Sequence, residues 1–259
     1  MQERHFDRVA YFQESANTSR KFYIPYMNQY IALSKARNVL EIGCGEGGNL
    51  LPFAELGCRV TGVDIYSVRI EEAKQLFPAE YPSRFFAMNF FEMSPPEKEN
   101  RYDVILVHDV IEHIEDKERF VKHLKPFLAG GGVVFWAFPA WQMPFGGHQQ
   151  ICHQKICANF PFLHLLPVAL YKKYLQMARE KEDCINELLS IKSCKTSIEL
   201  FEKLMKQNGM KIVNRHLWLV NPHYEQKFNL KPRKLWGLLG NIPYLRNFLS
   251  TSCFYITTH

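Results

Sequence analysis

Apolar and polar positions fall into alternating blocks from residue 38 onward. Five short apolar runs, at 38–42, 59–63, 84–88, 102–107 and 133–138, predict β-strands. The 102–107 run, YDVILV, is the most continuous and is expected to be buried on both faces, as central parallel strands are. Between the runs lie segments with helical spacing. One spans 48–56 and is closed by Gly57. The next spans 67–77 with Ser67 as N-cap, and a third spans 115–128 and stops at Gly130-Gly131-Gly132. Strands separated by helices imply an α/β protein with a doubly wound parallel sheet.

The rhythm breaks at residue 140. No strand pattern is found in 140–195, where FPFLHLLPVALYKKYLQ and the following residues read as helices punctuated by Pro161 and Pro167. This stretch is expected to be a helical insertion after the fifth strand, lying over the carboxyl ends of the strands. The sheet pattern resumes at Thr196. Thr196 and Glu199 have capping-box spacing and open a helix to about 208, closed by Gly209. A strand over 211–219 and a last strand, SCFYITT, follow. Too little chain separates these two for a clear crossover helix, so antiparallel pairing is expected. Residues 1–37 form a helical lead-in rich in aromatics (Phe6, Tyr11, Phe12, Phe22, Tyr23, Tyr26, Tyr30). The expected organisation is therefore a lead-in at 1–37, a core at 38–139 and 196–259, and an insertion or lid at 140–195.

Composition narrows the function. The chain has 259 residues, 47% hydrophobic and 22% charged, enough for one large α/β domain with an insertion and unlike a disordered chain. The net charge is +6, but Lys and Arg are spread along the chain rather than clustered, so no nucleic-acid partner is expected. Seven cysteines without a framework suggest free thiols in a reducing compartment. The polar N-terminus lacks a secretory pattern, and no apolar run approaches the roughly 20 residues that cross a bilayer, so a cytoplasmic location is expected.

The stretch VLEIGCGEGGNL carries the chemistry. It reads as a strand, a glycine turn and a helix, and glycines there let main chain approach a ligand. Gly43, Gly45 and Gly48 fit G-x-G-x-x-G, with Asp64 21 residues after Gly43, as in a dinucleotide site. Gly43, Gly45 and Gly47 also fit an acidic-x-G-x-G-x-G pattern headed by Glu41. In both patterns the carboxylate ending the second strand accepts hydrogen bonds from ribose hydroxyls.

Downstream motifs separate the two. VLEIGCGEG, VTGVDIY, FFAMNFF, YDVILVHDVIEHI and LKPFLAGGGVVFWAFP stand in order and at spacing that resembles the class I S-adenosylmethionine-dependent methyltransferases, small-molecule branch, similar to the ubiquinone-biosynthesis O-methyltransferases. The resemblance covers 38–139 well and 196–259 loosely. It implies a Rossmann-like, seven-stranded, mostly parallel sheet with an antiparallel last strand. It also implies S-adenosyl-L-methionine as cofactor and S-adenosyl-L-homocysteine as product. By resemblance, Gly43, Cys44, Gly45 and Gly47 line the methionine part and Glu41 supports the loop. Asp64 binds the ribose and Ile65 packs on the adenine. Asn89 replaces the usual aspartate at the adenine amino group, followed by Phe90, and His108 sits beside the methionine moiety. Glu112 and His113 match the E-H after the fourth strand. Tyr11, Phe90 and Trp136 are candidates by position for faces around the sulfonium.

Methyl transfer to a hydroxyl needs in-line alignment, and usually a base near neutral pKa. The segment WQMPFGGHQQICHQKIC leaves the fifth strand at the ligand end of the sheet, and Gly146-Gly147 could turn it over the pocket. His148 is the first candidate base, His153 the second, and His113 is either a third or a structural group. His148, Cys152, His153 and Cys157 are also potential zinc ligands, but four consecutive ligands on one helix cannot converge, so no metal is expected. The expected function is methylation of a small acceptor, oxygen before nitrogen, with apolar-basic stretches at 160–175 and 231–249 suited to an amphipathic acceptor or to peripheral membrane contact. The alternatives are methylation of RNA or protein, disfavoured because HDVIEH replaces an NPPY-like loop, a non-catalytic binding protein, and a nicotinamide oxidoreductase.

Overall fold

A computed structural model describes residues 7–33 and 37–259. Phe6 and residues 34–36 of the expected lead-in lie outside the described residues. The chain begins with α1 (Arg8–Thr18), capped by the Asp7 carboxylate, which accepts from the Ala10 N–H. It continues through a π-helical turn at Ser19–Tyr23 into α2 (Ile24–Met27).

The core follows as β1 (Asn38–Ile42), α3 (Leu51–Glu55), β2 (Arg59–Asp64), α4 (Ser67–Leu76), β3 (Ser83–Ala87), β4 (Tyr102–His108), α5 (Lys117–Leu124) and β5 (Leu128–Phe138). Residues 139–195 hold only helices and turns, with α6 (Lys155–Asn159), α7 (Val168–Met177) and α8 (Glu182–Cys194). The chain ends with α9 (Ile198–Gln207), β6 (Lys211–Val220), α10 (His223–Phe228), β7 (Arg233–Lys234), α11 (Gly237–Gly240), α12 (Leu245–Leu249) and β8 (Ser252–Thr258).

The strands form one sheet in the order β3-β2-β1-β4-β5-β8-β6-β7. The first five are mutually parallel, and β8 runs antiparallel to both β5 and β6. The expected seven-stranded arrangement is present, with the two-residue β7 added at the edge beside β6. Strand order reverses between β1 and β4, and in such sheets the crevice beyond the carboxyl ends at that switch point is where ligands bind.

The burial of β4 follows from its central position. Its alternate residues face opposite layers: Ile105 and Val107 pack with Phe120, Trp136, Phe201 and Tyr255, while Val104 and Leu106 pack with Phe12, Tyr23, Met27 and Phe254. Thus α5 and α9 cover one face and the N-terminal helices, with their aromatics, cover the other. A third, smaller cluster of Cys152, Cys157, Leu163, Tyr171, Leu175, Cys184, Ile185 and Leu188 lies wholly inside the 140–195 stretch.

Three local expectations are corrected. Ser67 is the first residue of α4 rather than its cap; Tyr66 holds the cap position, its N–H donated to Asp64. The glycine run does not precede β5 but interrupts it: pairing jumps from Tyr102–Leu128 to Val104–Val133, leaving Gly130–Gly132 as a bulge. At α9 the cap is Ser197, which accepts from Leu200 N, not Thr196. Thr196 Oγ1 instead donates to the Ile111 carbonyl, and Glu199 is drawn away to Arg246 and Asn247, so no capping box closes.

Candidate functional site

The glycine loop leaves β1 at the switch point and is tied to the end of β2. Gly43 N and Cys44 N both donate to the Val63 carbonyl, and Gly45 N donates to Asp64 Oδ2 at 2.9 Å. Tyr66 N donates to Asp64 Oδ1, also at 2.9 Å. Asp64 is buried with these two bonds made, and a carboxylate has about four lone-pair sites, so two acceptor positions remain for hydroxyls. Gly45 takes φ +52, and a Cβ there would meet only Arg69 Nη1 at 3.5 Å, so the position faces open cleft. Gly48 has a different task. A Cβ there would strike the Phe12 carbonyl, so this glycine lets α1 pack onto the loop.

Glu41 points inward from β1. Burial pushes its carboxyl up to about 8, against the pull of the Asn49 amide that donates to Oε1 at 2.8 Å. Its Oε2 is buried without a partner. Cys44 is buried, its thiol against the Gly45 carbonyl. Around the loop lies a cavity of about 90 Å³ lined by Tyr11, Ser15, Gly45, Arg69, His108 and Asp109, among others. Tyr11, which reaches in from α1, has its phenol pushed up to about 12 by burial and by the Asp109 and Glu46 carboxylates. Arg8 holds Glu46 at 2.7 Å and so fastens α1 across the cleft. A broader depression of about 600 Å³ along α5 is lined by Asp116, Glu118, Arg119, Lys122 and His123; it lies away from the loop and gathers no converging groups.

The groove fits a cationic, ribose-bearing ligand in charge and donor chemistry. Glu46, Asp64 and Asp109 surround it, with Glu46 paired to Arg8 and Arg69 standing on the lining. Its volume is well under the roughly 300 Å³ of small pockets that enclose a ligand. Ile65 and Tyr66 are both exposed beside Asp64, which leaves open surface for a base, while α1 would have to yield over the rest.

Other expected contacts fall elsewhere. Phe90 is buried against Phe120, His123 and Phe127, in the core rather than the cleft. Trp136 is fully buried, donating Nε1–H to Thr257, and cannot face the cleft. Asn89 is exposed, with its Oδ1 already accepting from Phe91 N. His108 lies at the mouth, with its ring 5.5 Å from Tyr23.

Beyond β4, a short 3-10 turn at Ile111–His113 brings Glu112 and His113 under the insertion. His148 comes down from the insertion onto them. Its ring is edge-to-face with His113, centroids 5.0 Å apart, and it sits in the left-handed region at φ 57. Donor atoms of Glu112, His113 and His148 lie within 4.8 Å of one another. Both Glu112 oxygens are buried without partners, and burial, reinforced by Asp109, raises that carboxyl well above its ordinary range. Burial and the neighbouring His113 lower His148 to about 4; burial also lowers His113. Both imidazoles are therefore held neutral. Asp109 was not singled out as a site residue from sequence, and Glu112 only as the partner of His113 in the E-H pair; the signal for both was their place in HDVIEH, directly after the central strand.

Gly146-Gly147 is no hinge. A Cβ on Gly146 would strike the Trp141 carbonyl, and one on Gly147 the His164 ring, so the pair is packed tightly. His153 is turned away from His148: its Nδ1 lies 3.2 Å from Glu180 Oε2 inside the insertion. The four ligand-type residues expected on one helix are split by a 3-10 turn at Gln149–Ile151 and point to two different places.

Residues 40–134 match the methyltransferase domain family. A ubiquinone biosynthesis O-methyltransferase of Coxiella burnetii (strain Dugway 5J108-111) is 29% identical over 114 residues, 44% of this chain and 48% of that protein. One from Bartonella quintana (strain Toulouse) is 29% identical over 151 residues, 56% and 58% of the two chains. The chain thus spans about half the length of the curated relatives it matches. Among solved structures, magnesium protoporphyrin IX methyltransferase from Synechocystis PCC 6803 with bound SAH aligns at TM-score 0.54 and 16% identity, over 96% of this chain and 83% of that one. A putative sarcosine dimethylglycine methyltransferase from Galdieria sulphuraria aligns at TM-score 0.57 and 15% identity, over 92% and 84%. The chain shares its fold with these methyltransferases of known structure. Among the described residues, no helix is long and apolar enough to cross a membrane.

Proposed function

We propose that this chain is an S-adenosylmethionine-dependent methyltransferase acting on a small molecule, with oxygen as the preferred acceptor atom. The observation that carries the proposal is the pairing of two features at one end of the sheet. One is the glycine loop fastened to Asp64; the other is the pair of neutral imidazoles, His113 and His148, beyond β4. S-adenosylmethionine, when bound, supplies an electrophilic methyl group on a sulfonium. The chain's own tasks are to hold it, orient the acceptor and remove a proton. Asp64 offers two free acceptor sites to the ribose, and the acidic groups around the loop favour a cation. His148 is unprotonated above a pKa of about 4, so one ring nitrogen is free to take the acceptor's proton as a weak base, and His113, edge-to-face beside it, can relay that proton.

An oxygen acceptor is supported by the O-methyltransferase relatives, whose named role lies in ubiquinone biosynthesis. Exposed Phe160, Val168, Leu170, Trp236 and Leu238 around the insertion and the C-terminal region suit an amphipathic acceptor. The test is transfer of a labelled methyl group from S-adenosylmethionine to a panel of hydroxylated aromatics of increasing chain length, with amines in parallel. Label on a hydroxyl, lost in His148→Ala, supports the reading. Label only on amines overturns the oxygen assignment, and label only on co-incubated RNA or protein overturns the small-molecule one.

A further inference from the structure

The 140–195 stretch carries a second cluster that the methyl-transfer reading does not use. Cys152 ends the 3-10 turn after His148, and Cys157 lies in α6. Glu180 precedes α8, and Cys184 lies in its first turn. Donor atoms of Cys152, Cys157 and Glu180 are all within 4.8 Å of one another, and all three residues are buried. Cys184, also buried, is in hydrogen-bond contact with Cys152, which in turn contacts Cys157. Two thiols and a carboxylate from two chain segments thus meet at one point inside the small cluster of the insertion, with the Cys184 thiol beside Cys152 at its edge.

We propose that Cys152, Cys157, Cys184 and Glu180 bind one structural zinc ion that clips the start of the insertion to α8. The donor set is right for zinc: thiolates with one oxygen, four in number, closed to solvent. Edges of a tetrahedron with ~2.3 Å bonds are about 3.8 Å, so the Cys152, Cys157 and Glu180 donors, already within 4.8 Å, need only a small inward shift, and Cys184 a turn of its thiol from Cys152 toward them. On binding, each thiol gives up its proton to solvent and the sulfur lone pair goes to the metal, so affinity rises with pH.

Two surrounding features support the assignment. The Glu180 carboxylate is oriented by three donors: His153 N at 3.0 Å, Gln154 N at 2.8 Å and the His153 ring at 3.2 Å. A hydrogen-bonded partner that fixes a ligating carboxylate is a regular part of metal sites. The Tyr174 hydroxyl bonds Cys157 from the other side. The second feature is size. The segment's own buried cluster holds eight residues, three of them the cysteines, and small clusters of that kind commonly rely on a metal or a disulfide. The clip would also place His148, four residues before Cys152, over Glu112 and His113.

The test uses the whole chain without a histidine tag, purified under reducing conditions from zinc-supplemented cells. Elemental analysis should give about one zinc per chain, and zinc X-ray absorption should show three sulfurs near 2.3 Å with one lighter atom. Cys184→Ser and Cys152→Ser should lose the metal. His153→Ala should weaken it roughly 10–100-fold, as loss of an orienting partner does. His113→Ala and His148→Ala should keep it, which separates this site from the Glu112–His113–His148 group. Absorption data on the wild-type chain decide the matter even where a cysteine variant fails to fold. The proposal is overturned by a chain that neither carries nor takes up zinc, by zinc lost with His113→Ala but not with Cys184→Ser, or by a Cys152 disulfide in non-reducing peptide mapping.

Discussion

Replacing Asp64 by alanine should nearly abolish cofactor affinity, and the loss can be worked out from its contacts. The carboxylate holds Gly45 N and Tyr66 N at 2.9 Å each and has two acceptor positions left for ribose hydroxyls. Each lost bond to a charged acceptor is worth about 1.5–3 kcal/mol. Two ribose bonds therefore amount to roughly 3–6 kcal/mol, or a weakening on the order of 10²–10⁴-fold. The freed Gly45 N–H adds to the loss by loosening the loop. Isothermal titration with S-adenosylhomocysteine measures the change, and thermal melting of the ligand-free chain separates it from unfolding. Asp64→Asn retains one oxygen but must turn its amide nitrogen toward one of the two backbone donors, so it should fall between wild type and alanine. Equal affinity in wild type and Asp64→Ala, both folded, would refute the reasoning.

Gly45→Val should block the ligand, because its Cβ enters the cleft at a φ of +52 that valine tolerates poorly; retained binding measured by titration would place the methionine moiety elsewhere. His148→Ala should lower turnover roughly 10²–10⁴-fold with cofactor affinity unchanged. With His148 lowered to about 4, wild-type activity should stay level down to about pH 5 and fall only below it; a rise through pH 6.5 would mean an unshifted imidazole. The same depression makes stability rise with pH between about 4 and the unfolded value of about 6.5, where the unfolded chain binds the extra proton, and His148→Ala should lack this part of the acid loss, its melting temperature falling less steeply than that of wild type across the window. Hydrogen exchange should show changed protection in α1 on cofactor binding, since α1 narrows the cavity, and in 140–195 when acceptor is added; no change in either would make both fixed scaffold.

The central strands were legible because period and burial agree: YDVILV is apolar along its length, and β4 is flanked on both edges and covered on both faces. Caps were less legible, since Thr196 and Ser197 are chemically equal candidates and only the tertiary pull of Arg246 on Glu199 decides between them. The glycine loop and Asp64 were placed by spacing alone, which local geometry preserves. Phe90 and Trp136 were misplaced because position along a strand end does not say which face a ring turns to. His148 was ranked ahead of His153 on its place directly after Gly146-Gly147, but the pattern held no sign that the two turn apart. A left-handed residue and a 3-10 turn separate them, sending one to His113 and the other to Glu180. The thiol cluster was hidden for a related reason: its second half comes from 180–184, some thirty positions away.

A crystal structure of the chain with S-adenosylhomocysteine tests the central claim most directly. The account predicts ribose hydroxyls on Asp64, the amino acid portion along Gly43–Gly47, and a sulfur directed toward His148 within about 10 Å of its imidazole, a span an acceptor in line with the methyl group can bridge. A nucleoside bound away from Asp64, or a sulfur that faces away from the His113–His148 pair, would contradict it.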